Sequence, residues 1–325
     1  MVKVICSIVL LIAGLYACNQ ETTVPTKKTK AKQTIETPNS PFIIVLGTAQ
    51  DAGSPQIGCN KECCKNLFKN PAAKRMVSSL GLIDPVNNKK YLIDATPDMA
   101  VQNSILNRYS KTKGLPDGIF LTHAHIGHYT GLMYLGKEAI NSSELPVHAM
   151  PRLKKFLNDN GPWSQLVKNK NIKIIEIKNK DTLVLSKNLK IIPFLVPHRD
   201  EYSETVGYKI IGPARSALFI PDIDKWSKWD SNIIKEIASV DFAFIDGTFY
   251  DAKEINNRDI SEIPHPFIIE TMQLLKNLKK QEKNKVYFIH LNHTNTALNE
   301  KSKAYQTVKS NGFNIAELKA IYSLD

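Results

Sequence analysis

Short apolar runs that close on an ionisable residue are the feature that most constrains the fold of this chain. Seven runs beyond residue 41 have the length and the β-branched or aromatic content of strands, at 42–47, 91–95, 118–123, 189–196, 216–220, 241–246 and 286–290. Polar or ionisable residues stand at or just past six of their ends: Asp94, His123, His198, Asp222, Asp246 and His290. Strand tips that each deliver one ligand-type side chain predict a site assembled from distant segments, and these residue types favour a metal ion.

Stretches with helical character separate several of these runs. Residues 129–140 follow a group of histidines, and residues 266–281 carry an apolar stripe made of Ile268, Ile269, Met272, Leu274, Leu275 and Leu278. A composition of 42% hydrophobic and 23% charged residues excludes a disordered or collagen-like chain. The order of elements predicts a mixed α/β fold in which helices pack outside sheets, with one large core over residues 42–325.

The N-terminal segment predicts export and a lipid anchor. Residues 1–17 place Lys3 before an apolar run of signal-peptide length, and the residues up to Cys18 resemble a lipobox, in which the cysteine is lipidated. A plain secretory signal is the alternative. Residues 18–41 hold three prolines, four lysines and few aliphatic side chains, so we expect a flexible tether. The predicted location is the cell envelope, where the lipid would hold the protein on a membrane.

The positive charge is weak evidence about partners. The formal net charge is +12, but only 6 of the 43 basic residues are arginine, the residue that recognises phosphate and nucleic acid through bidentate contacts. Lys3 would leave with the signal peptide, and four lysines belong to the tether. We therefore expect a solvated lysine-rich surface and a small-molecule substrate, and a nucleic-acid partner is not favoured.

The densest group of candidate ligands is the segment LTHAHIGHYTGL, which contains His123, His125 and His128. Residues two apart at an extended strand end point to the same side, so His123 and His125 can face one ion. The turn that follows can bring His128 round to another ion. Three of the eight histidines within six residues are unusual for a solvated loop and favour a metal centre.

The chain resembles the metallo-β-lactamase superfamily at these residues. The signature of that family at this place is His-x-His-x-Asp-His, and the sequence here is HAHIGH, with Gly127 at the aspartate position. Three further matches follow in order: PHRDEYSETVGY with His198, LFIPDID with Asp222, and VYFIHLNH with His290. Within the superfamily the chain looks most like pyrroloquinoline quinone biosynthesis protein B (PqqB) and its relatives, through GTAQDAGSPQIGCNKECC, YLIDATPDMAVQ and FIHLNHTN.

The resemblance implies a fold and a ligand set. The fold would be a four-layer αββα sandwich forming a single domain, with the metal site at one sheet edge. The first site would be formed by His123, His125 and His198, and the second by His128, Asp222 and His290, with Asp222 bridging both. Because Gly127 removes one carboxylate from the second site, the sequence predicts one ion, or a weakly bound second one. Zinc is expected, and Fe²⁺ is possible at the same ligands.

The remaining histidines and aspartates suggest catalytic and supporting roles. A cation bound by three histidines lowers the pKa of its water to about 7, which gives a hydroxide that can attack a carbonyl or phosphorus centre. His293 and His265 are candidates for the general acid that protonates the leaving group. Asp94 could accept an imidazole N–H and fix the tautomer of a ligand histidine. Asp246 lies near the position of an acidic residue in relatives that cut tRNA ends.

A cysteine cluster, Cys59, Cys63 and Cys64, offers a second site. Relatives carry a zinc knuckle of the form Cys-x-Cys-x-x-Cys in this place, whereas the spacing here is Cys-x₃-Cys-Cys. Three thiolates could hold structural zinc with one ligand from elsewhere. A disulfide from Cys59 is the alternative, since an exported protein meets an oxidising compartment.

Three functional hypotheses follow. The first is a metal-dependent hydrolase that acts on a phosphodiester or another anionic ester. The second is an iron-dependent oxidation of a phenolic substrate in quinone cofactor biosynthesis, as implied by the PqqB-like motifs. The third is a metal-binding lipoprotein without catalytic activity, which the missing aspartate at Gly127 favours.

Overall fold

The computed structural model describes residues 37–255 and 259–325. The predicted signal peptide at 1–17, the predicted lipid site Cys18 and the tether up to residue 36 lie outside these ranges. Within them, no helix is both long enough and apolar enough to cross a membrane. Residues 37–325 form one compact unit, as expected for a single domain.

The described residues fold into strands and α-helices that alternate along the chain. The strands are β1 (Phe42–Gly47), β2 (Ser79–Asp84), β3 (Lys89–Ile93), β4 (Gly118–Phe120), β5 (Leu145–Ala149), β6 (Ile172–Glu176), β7 (Leu183–Ser186), β8 (Leu189–Leu195), β9 (Val206–Ile211), β10 (Ser216–Ile220), β11 (Phe242–Asp246), β12 (Val286–Ile289), β13 (Asn314–Ile315) and β14 (Ile321–Ser323). The helices are α1 (Glu62–Phe68), α2 (Met99–Tyr109), α3 (Ile126–Tyr129), α4 (Pro151–Asp159), α5 (Trp163–Lys168), α6 (Ile233–Ala238), α7 (Ile268–Leu274), α8 (Lys280–Lys283) and α9 (Lys303–Ser310).

The strands form two mixed seven-stranded sheets. Sheet one has the order β14-β1-β2-β3-β4-β5-β6, and sheet two has the order β13-β12-β11-β10-β9-β8-β7. Strands β3 to β6 pair in parallel, and so do β10 to β13. Strand β9 is antiparallel to both β8 and β10, so β8 runs in the same direction as β10. The carboxyl ends of β8, β10, β11 and β12 therefore lie at one edge of sheet two.

Three hydrophobic cores lie between the four layers of a sandwich. Leu106, Leu153 and Leu166 of helices α2, α4 and α5 pack on the outer face of sheet one. Phe120 of sheet one and Phe219 of sheet two belong to the core between the sheets. A third core joins sheet two to helices α6, α7 and α9 through Ile237, Ile268 and Val308. The predicted αββα metallo-β-lactamase fold is confirmed. Full burial of one large apolar side chain in these cores stabilises the fold by about 1.5–3 kcal/mol.

The predicted strands match well, and one predicted helix is wrong in type. β1 and β10 have the predicted bounds, whereas β4 ends at Phe120 and leaves residues 121–123 as irregular backbone. In place of a helix over 129–140, the chain forms the short helix α3 and then a 3₁₀ segment, Thr130–Leu135. Gly131 explains this, because its backbone N–H donates to Ala95 and a Cβ there would lie 2.2 Å from the Thr96 carbonyl oxygen. The predicted stripe over 266–281 forms α7 up to Leu274, while Leu275 and Leu278 lie in the turn that precedes α8.

Candidate metal centre

Strand ends from both sheets bring the predicted ligands together. His128 lies in α3, eight residues beyond β4, while Asp222 follows β10 and His290 follows β12. Asp94 and His290 have positive φ values of 67° and 63°. L-residues rarely adopt this conformation, which costs about 1 kcal/mol or more, and here it turns the chain sharply at the strand tip. Two residues at the centre thus hold a strained backbone that aims their side chains.

The first ligand group consists of His123, His125 and His198, whose ligand atoms all lie within 4.8 Å of one another. His123 and His198 are buried, and the His125 side chain is 15% exposed. Burial lowers the pKa of His198 to about 4 and, together with the neighbouring His128, lowers the pKa of His123 well below 6.5. The group therefore presents neutral imidazoles, the form that binds a metal ion.

The second group contains a residue that the sequence did not predict. Asp222 Oδ2 lies 3.0 Å from His128 Nε2 and 3.1 Å from His290 Nε2. Asp51, in the loop after β1, places its Oδ1 at 3.2 Å from His128 Nε2 and 3.7 Å from His290 Nε2. Gly127 brings no carboxylate to the second group, and the structure places a different carboxylate, that of Asp51, beside both histidines.

Unsatisfied buried atoms show that these residues fit a metal ion. Five atoms at the centre are buried and have no hydrogen-bond partner: Asp51 Oδ1, His123 Nε2, His128 Nε2, Asp222 Oδ2 and His290 Nε2. Burying a polar atom without a partner costs about 1–3 kcal/mol, so a cluster of five demands a common partner. Nitrogen and carboxylate oxygen are the ligands of zinc and of other borderline divalent ions. A divalent cation bound by these atoms would satisfy all of them.

Electrostatics within the centre favour a cation. Burial opposes ionisation of Asp222, but His290 and His128 hold the pKa of its carboxyl well below the usual range. Asp51 behaves in the same way, with its pKa lowered by His128 and His290 against the effect of burial. Two ionised carboxylates thus share one buried pocket with the imidazoles, which is an environment that attracts positive charge.

A set of residues that we name the Thr122 unit orients the ligands of sheet one; it comprises Thr122, Asp94, His123 and His128. His128 Nδ1 donates to Asp94 Oδ2 at 2.8 Å. The Thr122 hydroxyl lies 3.0 Å from Asp94 Oδ1 and 3.0 Å from His123 Nδ1. These bonds hold Nδ1 of both imidazoles and leave Nε2 facing the centre, as predicted for Asp94.

A matching set lies on sheet two; this Thr248 unit comprises Thr248, Asp246, His265 and His290. Asp246 Oδ2 accepts a hydrogen bond from His265 Nδ1 at 2.8 Å, and its Oδ1 accepts one from the Thr248 hydroxyl at 2.7 Å. The same hydroxyl lies 3.0 Å from His290 Nδ1. His265 is buried, with Nδ1 3.7 Å from Asp222 Oδ1. Both predicted residues, Asp246 and His265, therefore lie at the centre.

The cysteine cluster forms a separate candidate site. The Sγ atoms of Cys59 and Cys63 are 3.8 Å apart, and so are those of Cys63 and Cys64. All three cysteines are free thiols, and the structure forms no disulfide among them. Thiolates on a tetrahedral zinc ion, at about 2.3 Å from the metal, are separated by roughly 3.8 Å. The geometry fits structural zinc rather than the alternative disulfide.

His293 belongs to this cysteine cluster and not to the histidine centre. Its ligand atom lies within 4.8 Å of the three Sγ atoms, which makes it the outside ligand that the cysteines require. The ring is also held by a hydrogen bond between Nδ1 and Asn292 Oδ1 at 2.8 Å. The prediction that His293 contributes a general acid is therefore not supported by its position, and His265 is the candidate that the structure leaves.

Three residues of the centre escaped the sequence analysis. Thr122 directly precedes His123, and Thr248 lies two residues after Asp246, the last residue of β11, so both stood beside residues already selected. Asp51 stands in the segment GTAQDAG immediately after β1, where a carboxylate at a strand end could have been noticed. Its nearness to His128 depends on how the loops of the folded chain meet, which the spacing of residues does not reveal.

Comparison with known proteins agrees with this fold. Residues 89–291 match the beta-lactamase superfamily domain, and the chain belongs to that superfamily. Among curated relatives, the coenzyme PQQ synthesis protein B of Gluconobacter oxydans is 23% identical over 306 residues, covering 87% of this chain and 98% of the relative. The corresponding protein of Acinetobacter baylyi is 26% identical over 294 residues, covering 82% and 95%.

Solved structures share the architecture. The zinc-bound PqqB from Methylobacterium extorquens superposes with a TM-score of 0.72 at 20% identity, covering 87% of this chain and 99% of that one. A diphosphatase from the PhnP family gives a TM-score of 0.61 at 20% identity, covering 87% and 96%. At these identities the likeness shows the fold alone.

Proposed function

We propose that the chain is a metal-dependent hydrolase of a phosphodiester or another anionic ester. The observation that carries the proposal is the convergence of five unpartnered, buried ligand atoms around Asp222. Such a buried array, with Nδ1 of His123, His128 and His290 each held by a hydrogen bond, matches a preorganised metal site. The ions would be held by His123, His125 and His198 on one side and by His128, His290 and the carboxylates on the other.

The chemistry divides between the ion and the protein. A divalent ion bound there would act as a Lewis acid and lower the pKa of a coordinated water to about 7. Asp246 fixes Nδ1 of His265 at 2.8 Å, which leaves Nε2 free of hydrogen bonds to any described residue. That nitrogen can carry the proton which the leaving group needs. Asp94 and Thr122 hold the imidazole ligands in the required tautomer.

A basic side chain beside the partly exposed His125 supports an anionic substrate. The Arg199 guanidinium approaches His125 Nε2 at 3.5 Å, and the Arg199 side chain is 56% exposed. Glu201 Oε2 lies 3.4 Å from the same nitrogen. An exposed guanidinium beside the histidine that reaches the surface can pair with a phosphate or carboxylate oxygen of the substrate.

Metal analysis joined to a hydrolysis screen tests the proposal. The full-length chain should contain zinc or a similar divalent ion at the histidine centre and should hydrolyse bis(p-nitrophenyl) phosphate or a lactone. His123→Ala should lose metal from the centre and about 100-fold or more of the activity, since loss of an orienting partner alone costs about 10–100-fold. His148→Gln, a histidine on β5 outside the centre, is the matched control and should keep both. A metal-loaded protein that hydrolyses no substrate in the panel contradicts the proposal.

A second candidate function rests on the curated relatives. Two of them, named coenzyme PQQ synthesis protein B, match this chain over 95–98% of their own length. The same histidine and aspartate ligands suit Fe²⁺, so an oxidation of a phenolic substrate is the competing proposal. Anaerobic purification with bound iron, followed by oxygen uptake on a phenol, would favour it over hydrolysis. The missing aspartate at Gly127 favoured the non-catalytic hypothesis, and the presence of the Asp51 carboxylate beside His128 and His290 weakens that support.

A further inference from the structure

The loop after β1 is fastened directly to the segment that carries His290. The backbone N–H of Gln50 donates to the Leu291 carbonyl at 2.9 Å, and the N–H of Leu291 donates to the Thr48 carbonyl at 2.8 Å. A further hydrogen bond from Gly53 N–H to the Gln50 carbonyl closes a turn that has Asp51 at its first central position. These hydrogen bonds fix the backbone of the loop, and therefore the Cα position of Asp51, beside the segment of His290.

The spacing of four atoms around this point is that of ligands on one ion. Asp51 Oδ1 and Asp222 Oδ2 each contact both His128 Nε2 and His290 Nε2, at distances between 3.0 and 3.7 Å. Ligand atoms at about 2.0–2.1 Å from a tetrahedral zinc ion are separated by roughly 3.3 Å. These distances also lie near hydrogen-bond range, yet the two carboxylate oxygens and two nitrogens form no aligned hydrogen bond. Atoms that approach each other without bonding are arranged for a shared partner.

Gly127 and Asp51 compete for the same space. A Cβ atom on residue 127 would lie 2.4 Å from both the Cα and the Oδ1 of Asp51. Real Cβ atoms do not approach other atoms so closely, so any side chain at 127 would force the loop after β1 away. The absence of a side chain at 127 is the condition that allows Asp51 to reach the histidines.

Simple ion pairing with a protonated histidine leaves the charge unbalanced. His128 already has Asp94 Oδ2 at 2.8 Å from Nδ1 and Asp222 Oδ2 at 3.0 Å from Nε2. Asp51 brings a third carboxylate to the same ring, and among the described residues no lysine or arginine forms an ion pair with any of the three. Buried like charges are costly unless a cation lies between them, and a divalent ion supplies the missing charge.

We propose that Asp51 is a ligand of the second metal ion and supplies, from the loop after β1, the carboxylate that the histidine motif lacks at Gly127. The second ion is then held by Asp51, His128, His290 and Asp222, which is a complete tetrahedral set. This inference rests on the metal centre of the proposed function, but it concerns metal binding and not the reaction. The centre should bind two ions firmly, whereas the sequence predicted one ion or a weakly bound second one.

Metal titration of full-length variants tests this assignment. After removal of metal by a chelator under reducing conditions, the wild-type chain should take up about three zinc ions, two at the histidine centre and one at the cysteines. Titration with Co²⁺ separates the two kinds of site, because only the cysteine cluster gives a thiolate charge-transfer band. Asp51→Ala should bind one ion fewer at the centre, or bind it more than about 100-fold more weakly, a larger loss than that of an orienting partner.

Two further variants secure the interpretation. Asp51→Asn keeps the shape of the side chain and removes its charge, so it should show the same defect even if Asp51→Ala disturbs the loop. Asp159→Asn makes the same chemical change at an exposed carboxylate of α4 that pairs with Lys155, and it should leave uptake unchanged within about twofold. Full uptake by Asp51→Asn and Asp51→Ala with affinities close to wild type overturns the assignment, and so does a single ion at the wild-type centre. A protein that binds both ions and hydrolyses nothing refutes the proposed function but leaves the Asp51 assignment standing.

Discussion

The two sheets carry the same small arrangement of residues at their edges, and the two copies differ in their roles. In the Thr122 unit and the Thr248 unit alike, one threonine hydroxyl contacts an aspartate and both histidines of the unit. In each unit the aspartate accepts a hydrogen bond from a histidine Nδ1 at 2.8 Å. The shared arrangement fixes the tautomer and the ring plane of the histidines on either side of Asp222.

The units differ in where the second ring nitrogen points. Both histidines of the Thr122 unit have a buried Nε2 atom without a partner, and so does His290 of the Thr248 unit. His265 is the exception, since its Nε2 is not among these unsatisfied buried atoms and its Nδ1 is the atom nearest Asp222. An aspartate partner thus prepares a histidine for either role. The direction of the other nitrogen decides between metal ligand and proton carrier.

The largest expected effect comes from replacing His265, the histidine whose role differs from that of the other three. His265→Gln should lower kcat by about 10²–10⁴-fold, the usual contribution of a general acid, while the metal content of the centre stays unchanged. Metal analysis and steady-state kinetics on the same preparation measure the two effects. The matched variant His290→Gln should lose metal together with activity. Loss of metal in His265→Gln would assign it to the ligands instead.

Replacing the aspartate of each unit, Asp94 or Asp246, with asparagine tests whether the two units have different roles. Asp94→Asn should weaken metal binding by about 10–100-fold, because it orients the ligand His128 through Nδ1. Asp246→Asn should chiefly lower kcat and shift the pH profile of kcat, because its partner His265 is the proposed proton carrier. Competition with a chelator gives the affinities. Equal effects of the two changes on metal affinity would show that the units have the same role.

Sequence reasoning reached the parts of this site that depend on local pattern. The apolar runs predicted both bounds of β1 and β10, and the six residues selected at or just past strand ends all lie at the centre. The layered fold came from the resemblance of the motifs and not from periodicity. Asp51 could not be found in this way, because its place beside His290 depends on backbone hydrogen bonds between segments about 240 residues apart in the chain.

The role of His293 shows a different limit. It stands three residues after a ligand, and sequence distance suggested that it shares the centre. The positive φ of His290 turns the chain there, and His293 is carried to the cysteines instead. The direction in which a side chain points after such a turn depends on how the folded segments around it pack. Residue types alone do not reveal that packing.

The cysteine cluster provides a contrast to both units, because it should stabilise the fold without taking part in the reaction. Cys59→Ser should lose the zinc ion at the cysteines and lower Tm by roughly 5 °C or more, while kcat per ion at the histidine centre changes by less than about twofold. Differential scanning calorimetry and the cobalt thiolate band measure the two properties. The free-thiol content of chelated protein should be three per chain, apart from residues outside the described ranges. A count of one thiol under air-free handling would restore the disulfide.

The smallest expected effect comes from His148, a histidine of sheet one that lacks the aspartate partner which the units provide. It stacks on Phe120 with ring centroids 4.2 Å apart, and burial lowers its pKa from 6.5 to about 4. His148 therefore takes up a proton near pH 6.5 in the unfolded chain but only near pH 4 in the folded chain. The contribution of neutral His148 to the free energy of unfolding is fully present above pH 6.5 and falls as the pH drops towards 4.

The full shift corresponds to about 3 kcal/mol, and partial exposure of the ring reduces this to roughly 1–2 kcal/mol. His148→Gln removes the titration, so its free energy of unfolding should decline less between pH 7 and pH 5 than that of wild type. Urea unfolding at several pH values, with zinc in excess for both proteins, measures the difference. Parallel curves would mean that the folded chain binds a proton at His148 as readily as the unfolded one. A smaller decline for His148→Gln than for wild type would show that burial alone keeps His148 neutral in the folded chain. The histidines of the Thr122 unit differ, because hydrogen bonds hold their Nδ1 atoms.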